Sequence, residues 1–248
     1  MWNFPKIIAH RGGGTLAPEN TLAAMRCGLS RGFHAVEFDV MLSRDGVPVL
    51  MHDPYFGRTV PGAGKVCETT AQELSAMDAG AWFGSQFAGE PVPTLEQVVD
   101  FCTQNHIWMN IEIKPSPGFE EQTGRVVAEV TQRLFAGEVA AQVALPLFSS
   151  FSFDALLAAK SEAPVIPRGY LVDVVPPDWR ERLSEVNAVA LHTNHKKLSA
   201  AQARAITDEG FGLFCYTVND PQRAKEILAW GVDAFCTDRI DLIGPTFS

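Results

Sequence analysis

Two acidic side chains alternate with apolar residues in residues 36–40, which read Val-Glu-Phe-Asp-Val. In a strand, Glu37 and Asp39 point to the same side and lie about 6–7 Å apart. Two ionised carboxylates facing a packed interior repel each other and lose hydration, so a cation between them is the arrangement that makes them tolerable. The ordinary alternative for an isolated pair of this kind is a solvent-exposed strand with alternating charges.

A second polar stripe occupies residues 110–115, which read Asn-Ile-Glu-Ile-Lys-Pro. Asn110, Glu112 and Lys114 alternate with isoleucine, so the three polar side chains share one face of the predicted strand. A face of this kind turned into a parallel barrel indicates a functional site. An exposed, salt-bridged strand would show the same pattern.

Histidines end two further apolar runs. His10 is followed by Arg11 and three glycines, and a guanidinium beside open backbone suits a phosphate oxygen. His52 ends the run Val-Leu-Met and precedes an Asp-Pro turn. A lone histidine is more often a satisfied core residue, so each of the two acquires a function only as part of a larger set.

Together, these strand ends offer a set of groups suited to phosphate-ester cleavage. Carboxylate ligands without thiolates favour Mg²⁺ or Ca²⁺ over zinc. A divalent cation with Arg and Lys neutralises a phosphoryl group, and two imidazoles supply a general base and a general acid. The set consists of Glu37, Asp39, Glu112, His10, His52, Arg11 and Lys114.

Strand-like and helix-like patterns alternate about eight times along the 248 residues. This alternation predicts an α/β fold with a parallel sheet, and its size is typical of a (β/α)8 TIM barrel forming one domain over residues 1–248. A doubly wound open sheet is the alternative. The predicted strands are residues 6–10, 35–41, 108–113, 143–148, 167–171, 188–192, 212–216 and 234–237. The predicted helices are residues 21–31, 94–105, 120–135, 152–161, 178–186, 199–209 and 221–230.

Residues 53–93 interrupt this rhythm, because they are rich in glycine and proline and too long for an ordinary loop. We predict a small insertion after the second strand, on the face where barrel enzymes place their active sites. Its aromatic residues Trp82, Phe83 and Phe87 could line a substrate pocket or form a satellite core.

Composition excludes several classes of function. The net charge of −9 argues against broad nucleic-acid binding and against a polybasic membrane patch. The five cysteines form no C-x-x-C pair, and we expect neither a secretory signal nor a membrane span. We therefore expect a soluble cytoplasmic protein with free thiols and no stable membrane insertion. The sequence predicts no oligomeric state.

The chain resembles the glycerophosphodiester phosphodiesterase family over nearly its full length, and most closely the compact cytosolic bacterial enzymes associated with glycerol-3-phosphate uptake. The family's motifs occur in the expected order, which makes the match more specific than any single short motif. They are Ala9-His10-Arg11-Gly12, Ala17-Pro18-Glu19-Asn20-Thr21, Val36-Glu37-Phe38-Asp39-Val40, Met51-His52-Asp53, Ile111-Glu112-Ile113-Lys114-Pro115, Tyr216-Thr217-Val218-Asn219 and Thr237-Asp238.

The resemblance implies a (β/α)8 barrel with an insertion after the second strand, and a role for each motif residue. Glu37, Asp39 and Glu112 would ligate the metal, and His10 and His52 would be the acid–base pair. The remaining implied roles are phosphate binding by Arg11 and Lys114, and substrate binding or orientation of the metal ligands by Glu19 and Asn20.

The implied reaction is hydrolysis of a small glycerophosphodiester to sn-glycerol 3-phosphate and an alcohol. The glycerol 2-hydroxyl would attack phosphorus, and water would open the resulting cyclic phosphate. Two alternatives stay open: a phosphodiesterase acting on lysophospholipids, and a non-catalytic barrel that binds glycerophosphate.

Other polar residues have weaker indications. Tyr216 and Asn219 could contact glycerol, or could serve in packing and helix capping. We predict that His192, His195, Lys196 and Lys197 mark a solvated rim of the barrel.

Overall fold

A computed structural model describes residues 2–137 and 145–248, and in these residues strands and helices alternate. The strands are β1 (Ile7–Ala9), β2 (Ala35–Leu42), β3 (Pro48–Leu50), β4 (Trp108–Ile113), β5 (Leu147–Ser150), β6 (Arg168–Val172), β7 (Ala190–Asn194), β8 (Gly212–Tyr216) and β9 (Ala234–Thr237). The helices are α1 (Leu22–Ser30), α2 (Ala71–Ser75), α3 (Leu95–Gln104), α4 (Glu120–Phe135), α5 (Phe153–Glu162), α6 (Trp179–Glu185), α7 (Ala200–Thr207) and α8 (Pro221–Ala229).

The parallel strands close into a barrel. Around the barrel they follow the order β1, β9, β8, β7, β6, β5, β4 and β2, and β1 also pairs with β2 through Ala9 and Val36. Because β1 has a parallel neighbour on each side, the ring of eight parallel strands is closed, and the doubly wound alternative is wrong. The predicted (β/α)8 TIM barrel is confirmed.

The predicted element bounds agree with the structure to within about two residues, except at β5. This strand runs to Ser150, whereas the prediction was residues 143–148, of which 143 and 144 lie outside the described residues. Ser149 and Ser150 are polar but fully buried, and the Ser150 hydroxyl donates to the carbonyl of Ile113 at 2.5 Å. This hydrogen bond satisfies the side chain of Ser150, and Ser149 continues the strand through its pairing with Glu112 and Gly169 on the neighbouring strands.

Local capping fixes where the helices begin. The Ser199 side chain accepts a hydrogen bond from the backbone of Gln202 at the start of α7. The Asp220 side chain caps α8 in the same way, and Pro221 occupies the first turn, where a missing N–H costs nothing. Because these two helices start at defined residues, the loops that join β7 to α7 and β8 to α8 are short.

An insertion follows β2, as predicted, but it begins with a strand that the sequence analysis did not assign. β3 pairs antiparallel with the end of β2, across a turn in which Gly46 has φ of +77°. Beyond β3 the chain builds α2 and its own small core. The buried apolar residues of that core are Met41, Val49, Met51, Val60, Val66, Leu74, Ala79 and Val92.

The aromatic residues of the insertion form a separate chain of ring contacts. Trp82 packs edge-on against Phe83, and Phe83 against Phe87, each pair with ring centroids 5.5 Å apart. Trp82 is 43% exposed. These rings are satellite packing at the surface of the insertion and are not part of its buried core.

The main core lies between the barrel and its surrounding helices, and a second apolar cluster fills the lower part of the barrel interior. Trp2 and Phe4 pack against this second cluster at the amino-terminal end of the chain. We call it the lower layer, and its buried members are Ile8, Ala35, Trp108, Leu147, Phe214, Ala234 and Cys236.

Among the described residues, none of the helices combines the length and the apolar character needed to cross a membrane. The cysteines are free thiols, as expected, and three of them are buried. The cytoplasmic location stays a prediction.

Candidate active site

A cavity of about 230 Å³ opens at the carboxyl ends of the barrel strands, where barrel enzymes place their active sites. The seven residues singled out from the sequence all line it. They are His10, Arg11, Glu37, Asp39, His52, Glu112 and Lys114. The remainder of the wall includes Asn110, Ser149, Phe151, Leu171, Phe214 and Tyr216.

Strand register brings the three carboxylates together. β2 and β4 are hydrogen-bonded neighbours, and Asp39 pairs with Glu112, two residues beyond Glu37. One carboxylate oxygen from each residue lies within 4.8 Å of the others. The alternative of a solvent-exposed strand is wrong, because Glu37 and Asp39 are 4% and 1% exposed.

Burial makes these carboxylates difficult to ionise. Desolvation, with the charge of Asp39 nearby, raises the pKa of Glu112 to about 8 and that of Glu37 to about 7. Burial also acts on Asp39, but Lys114 and Arg11 beside it hold the pKa of that carboxyl well below its usual range. The site therefore favours one ionised carboxylate and resists ionisation of the other two.

The residues present fit a divalent cation. Oxygen Oε1 of Glu37 is buried and has no hydrogen-bond partner in the part of the chain that the structure describes. A buried polar atom of this kind costs free energy unless a ligand satisfies it. Three converging carboxylates without a thiolate are the donor set expected for Mg²⁺ or Ca²⁺.

Two cationic side chains flank Asp39. Nζ of Lys114 lies 3.2 Å from Asp39 Oδ1, and Nε of Arg11 lies 3.4 Å from Asp39 Oδ2. The backbone at Arg11 has φ of +51°, a left-handed conformation that is unusual for a residue with a side chain. The carbonyl of Arg11 accepts a hydrogen bond from the backbone of Asn20, which helps to hold this conformation.

Asn20 lies behind Asp39. Its side-chain nitrogen donates to Asp39 Oδ2 at 2.8 Å, and its side-chain oxygen accepts from the Asp39 backbone at 3.1 Å. Glu19 accepts a hydrogen bond from Nη1 of Arg11 at 2.7 Å. Neither Glu19 nor Asn20 is among the residues that line the cavity, so the geometry favours orientation of Arg11 and Asp39 over direct contact with a substrate.

His10 is paired with an aspartate from the last strand–helix loop. Its Nδ1 lies 2.6 Å from Asp238 Oδ1, and its Nε2 lies 3.7 Å from Glu37 Oε2. Burial lowers the pKa of His10, but the hydrogen bond to Asp238 and the charge of Glu37 outweigh it, so the pKa is raised. Gly14 permits this pairing, because a Cβ there would lie 2.1 Å from the carbonyl oxygen of Asp238.

His52 has a similar partner next to it in sequence. Its Nδ1 lies 2.6 Å from Asp53 Oδ1. Burial lowers the pKa of His52, and the positive charges of Arg11 and Lys114 lower it further. Asp39 and Asp53 raise it by less, so the pKa is lowered overall. In both pairs, an Nδ1–H that donates to the carboxylate leaves Nε2 able to accept or deliver a proton.

Several residues of the site have no assigned role in the sequence analysis. Asp238 and Asp53 are two of them, and they orient the histidines. Asn219, for which glycerol contact or a packing and capping role was predicted, is not among the residues that line the cavity; it donates to Asp238 Oδ2 at 2.8 Å and accepts from the Asp238 backbone at 2.8 Å. Arg58, from the insertion, contacts Glu19 and Asp53. The usable signal was position, since Asp53 directly follows a candidate histidine and Asp238 directly follows the last strand.

Tyr216 lines the cavity, and its hydroxyl donates to the carbonyl of Val172 at 3.0 Å. Phe151 packs edge-on against Tyr216, with ring centroids 5.6 Å apart. These two rings form an apolar wall of the cavity. The insertion's Trp82, Phe83 and Phe87 do not line it.

The prediction of a solvated rim is wrong for two of its four residues. His192 is fully buried inside the barrel and stacks on Phe214 with ring centroids 4.5 Å apart. His195 is 7% exposed because Arg223 covers it. Lys196 and Lys197 are exposed, as predicted.

Comparison with known proteins agrees with this geometry. The model of the glycerophosphoryl diester phosphodiesterase family matches residues 10–242. The chain belongs to this family. A glycerophosphodiester phosphodiesterase of Caldanaerobacter subterraneus is 33% identical over 238 residues, which cover 94% of this chain and 93% of that protein.

Solved structures of the family share the fold. An Oleispira antarctica phosphodiesterase in complex with the product sn-glycerol-3-phosphate has a TM-score of 0.84 and 38% identity, covering 94% of this chain and 93% of that one. A glycerophosphodiester phosphodiesterase of Agrobacterium tumefaciens has a TM-score of 0.76 and 28% identity, covering 96% and 98%.

Proposed function

We propose that the protein hydrolyses glycerophosphodiesters to sn-glycerol 3-phosphate and an alcohol, using a divalent cation and two histidines. The observation that carries the proposal is the convergence in one cavity of three carboxylates, two imidazoles, a guanidinium and an ammonium group. The product bound in the Oleispira antarctica relative supports the same substrate class for this chain.

Glu37, Asp39 and Glu112 would hold Mg²⁺ or Ca²⁺. The cation would supply positive charge to a non-bridging phosphoryl oxygen as charge develops there. The support for this assignment is the partnerless Oε1 of Glu37 together with the raised pKa values of Glu37 and Glu112. Asn20 keeps Asp39 in place through its two hydrogen bonds.

Arg11 and Lys114 would bind the phosphate. Both line the cavity, and their side chains are 18% and 24% exposed, so an anion can reach them. Each is held by carboxylates of the site, which fixes the direction from which it meets the substrate. Positively charged donors held in advance stabilise developing charge without reorganising during the reaction.

His10 and His52 would move the protons. One imidazole takes the proton of the glycerol 2-hydroxyl as its oxygen attacks phosphorus, and the other protonates the departing alkoxide. The resulting cyclic phosphate is then opened by water with the histidine roles exchanged. Asp238 and Asp53 keep each Nδ1 occupied, so Nε2 is the nitrogen that exchanges protons in both residues.

The test is detection of sn-glycerol 3-phosphate released from a panel of glycerophosphodiesters, including glycerophosphocholine and glycerophosphoethanolamine. The enzyme is assayed with a chelator and then with Mg²⁺ or Ca²⁺ added back. We expect product only with a cation present. Faster turnover of micellar lysophospholipid than of the soluble diesters would favour the lysophospholipid alternative, and absence of product from every substrate would favour a binding protein.

A further inference from the structure

Arg58 lies on a loop of the insertion that is braced from both ends. The backbone of Phe56 donates to the carbonyl of Gly64, and that of Val66 to the carbonyl of Pro54, each at 3.0 Å. Val60 anchors the same loop in the insertion's buried core. The loop therefore presents Arg58 from a defined backbone position.

The guanidinium of Arg58 spans two carboxylates that belong to different parts of the chain. Nη1 and Nη2 donate to Glu19 Oε2 and Oε1, each at 2.7 Å, and Nε donates to Asp53 Oδ2 at 2.5 Å. All five donors of an arginine lie in one plane, so one side chain can fix the relative position of two carboxylates.

Each of these two carboxylates also contacts an active-site residue through one of its oxygen atoms. Glu19 Oε1 also accepts from Nη1 of Arg11 at 2.7 Å, and Asp53 Oδ1 lies 2.6 Å from Nδ1 of His52. A continuous series of charge-assisted contacts thus runs from Arg11 through Glu19, Arg58 and Asp53 to His52. We propose that Arg58 is a positioning residue, which holds the phosphate-binding guanidinium and one catalytic imidazole in register and makes the insertion part of the active site.

This inference rests on the proposed roles of His52 and Arg11, and it deepens them. Arg58 is absent from the residues that line the cavity, so it acts through Asp53 and Glu19 and not by touching the substrate. Its side chain is 44% exposed, and an isolated pair at that exposure would contribute little to stability. Its expected effect is therefore on the geometry of the site, and only slightly on folding.

The test compares Arg58→Ala and Arg58→Lys with wild type on a glycerophosphodiester that the enzyme cleaves. For Arg58→Ala we expect kcat to fall about 10- to 100-fold, as is usual when a supporting contact behind a site is lost. We expect KM to change far less, since the other contacts of Arg11 remain. Arg58→Lys restores the charge but not the planar fork, so an intermediate kcat is expected.

Arg44→Ala is the matched control. Arg44 lies on the turn before β3, is 58% exposed and pairs with Glu73 at 3.8 Å, away from the cavity. Removal of this arginine removes one exposed positive charge without touching the series of contacts. We expect wild-type kcat and KM.

Two readouts separate positioning from a general structural effect. Nitrogen NMR of the imidazoles reports which ring nitrogen of His52 carries the proton, and Arg58→Ala is expected to broaden or shift the Nδ1–H form. A double-mutant cycle with Asp53→Asn is expected to be non-additive, because both changes disturb the same imidazole. Wild-type kcat in Arg58→Ala, or additive losses in the cycle, would overturn the inference.

His52→Ala distinguishes this inference from the proposed function. If His52→Ala turns over like wild type, the catalytic role of His52 is wrong, and the role of Arg58 falls with it. If His52→Ala is inactive while Arg58→Ala keeps full activity and an unchanged His52 signal, the proposed function stands and only the positioning role is contradicted.

Discussion

The two ends of the barrel interior differ in chemistry. The lower layer is apolar, closely packed and closed by Trp2 and Phe4. The upper end carries charged and polar side chains on the same strands, two or four positions further along and therefore on the same inner face. Its buried polar members are Glu37, Asp39, Asn110 and Ser149. The same eight strands thus build a packed core at one end and a charged site at the other.

This difference shows how the fold separates stability from function. A fully buried Leu, Ile or Phe contributes about 1.5–3 kcal/mol, whereas a buried polar atom without a partner costs about 1–3 kcal/mol. Partnerless atoms in the described residues include Glu37 Oε1, Asn110 Oδ1 and Ser149 Oγ, all from residues that line the cavity. The lower layer offsets that cost, and ligands of the upper end would recover it.

The largest effect should come from the histidines of the upper end. We expect His10→Ala and His52→Ala each to lower kcat about 10²- to 10⁴-fold, because proton transfer to or from the substrate would lose its group. Melting temperatures should stay near wild type. Initial-rate assays with added cation, alongside thermal unfolding, measure both quantities.

The exposed His34 provides the control, since it lies outside the cavity. His34→Ala should keep both turnover and melting temperature. Wild-type rates in His10→Ala or His52→Ala would contradict the acid–base assignment.

Substitutions in the lower layer should lower stability and leave turnover nearly unchanged. Leu147 is fully buried, and Leu147→Ala should lower the free energy of unfolding by about 2–5 kcal/mol through lost burial and a cavity. Because Leu147 does not line the active-site cavity, kcat per folded molecule should change little. Urea denaturation and active-site titration separate the two effects. An unchanged unfolding midpoint would show that the lower layer is not the stabilising end.

Substitution of a proposed metal ligand should change the cation requirement of the enzyme and leave its stability without cation unchanged. Glu112→Gln removes one carboxylate from the three and should raise the cation concentration needed for half-maximal activity at least tenfold. Protein stability without cation should not fall, because the glutamine removes a carboxyl that burial makes difficult to ionise. A metal titration identical to that of wild type would argue against Glu112 as a ligand.

The smallest effect concerns His192, at the level of Phe214 in the barrel. Burial alone lowers the pKa of His192 to about 3, from 6.5. Below pH 6.5, His192 binds a proton in the unfolded chain but stays neutral in the folded protein. The free energy of unfolding should therefore decrease as the pH falls from 6.5 towards 3. The loss is about 1.4 kcal/mol per pH unit.

His192→Gln should remove this contribution, and the difference between variant and wild type isolates it from other acid-sensitive groups. Urea denaturation at pH 5.0, 5.5 and 6.5 measures it. Parallel pH dependences for the two proteins would show that His192 does not resist protonation.

The alternation of strands and helices predicted the elements well, since β4, β8 and α4 match their predicted bounds end to end. It favoured a barrel but left a doubly wound sheet open, and only the pairing of β1 with β2 excludes that alternative. The seven lining residues could also be predicted. Glu37, Asp39, Glu112 and Lys114 occupy alternate positions that mark one face of a strand, and His10, Arg11 and His52 follow apolar runs. β3 was not predicted, since a three-residue strand carries no periodicity and depends on its turn and on pairing with β2.

The supporting residues were beyond the reach of the sequence for a similar reason. Arg58 and Glu19 lie 39 positions apart, and no local pattern links them. His192 was misplaced because the space for it comes from Gly169 on the adjacent strand, where a Cβ would lie 2.3 Å from the imidazole. Contacts between distant segments decide both cases, whereas periodicity describes only one segment at a time.

Diffraction from crystals soaked in Mn²⁺ or Ca²⁺, recorded for anomalous scattering, tests most directly whether the upper end is a metal site. We expect one strong peak about 2.0–2.6 Å from carboxylate oxygens of Glu37, Asp39 and Glu112. Soaked crystals that diffract well and show no peak among these three residues, while the enzyme remains fully active in a chelator, would contradict it.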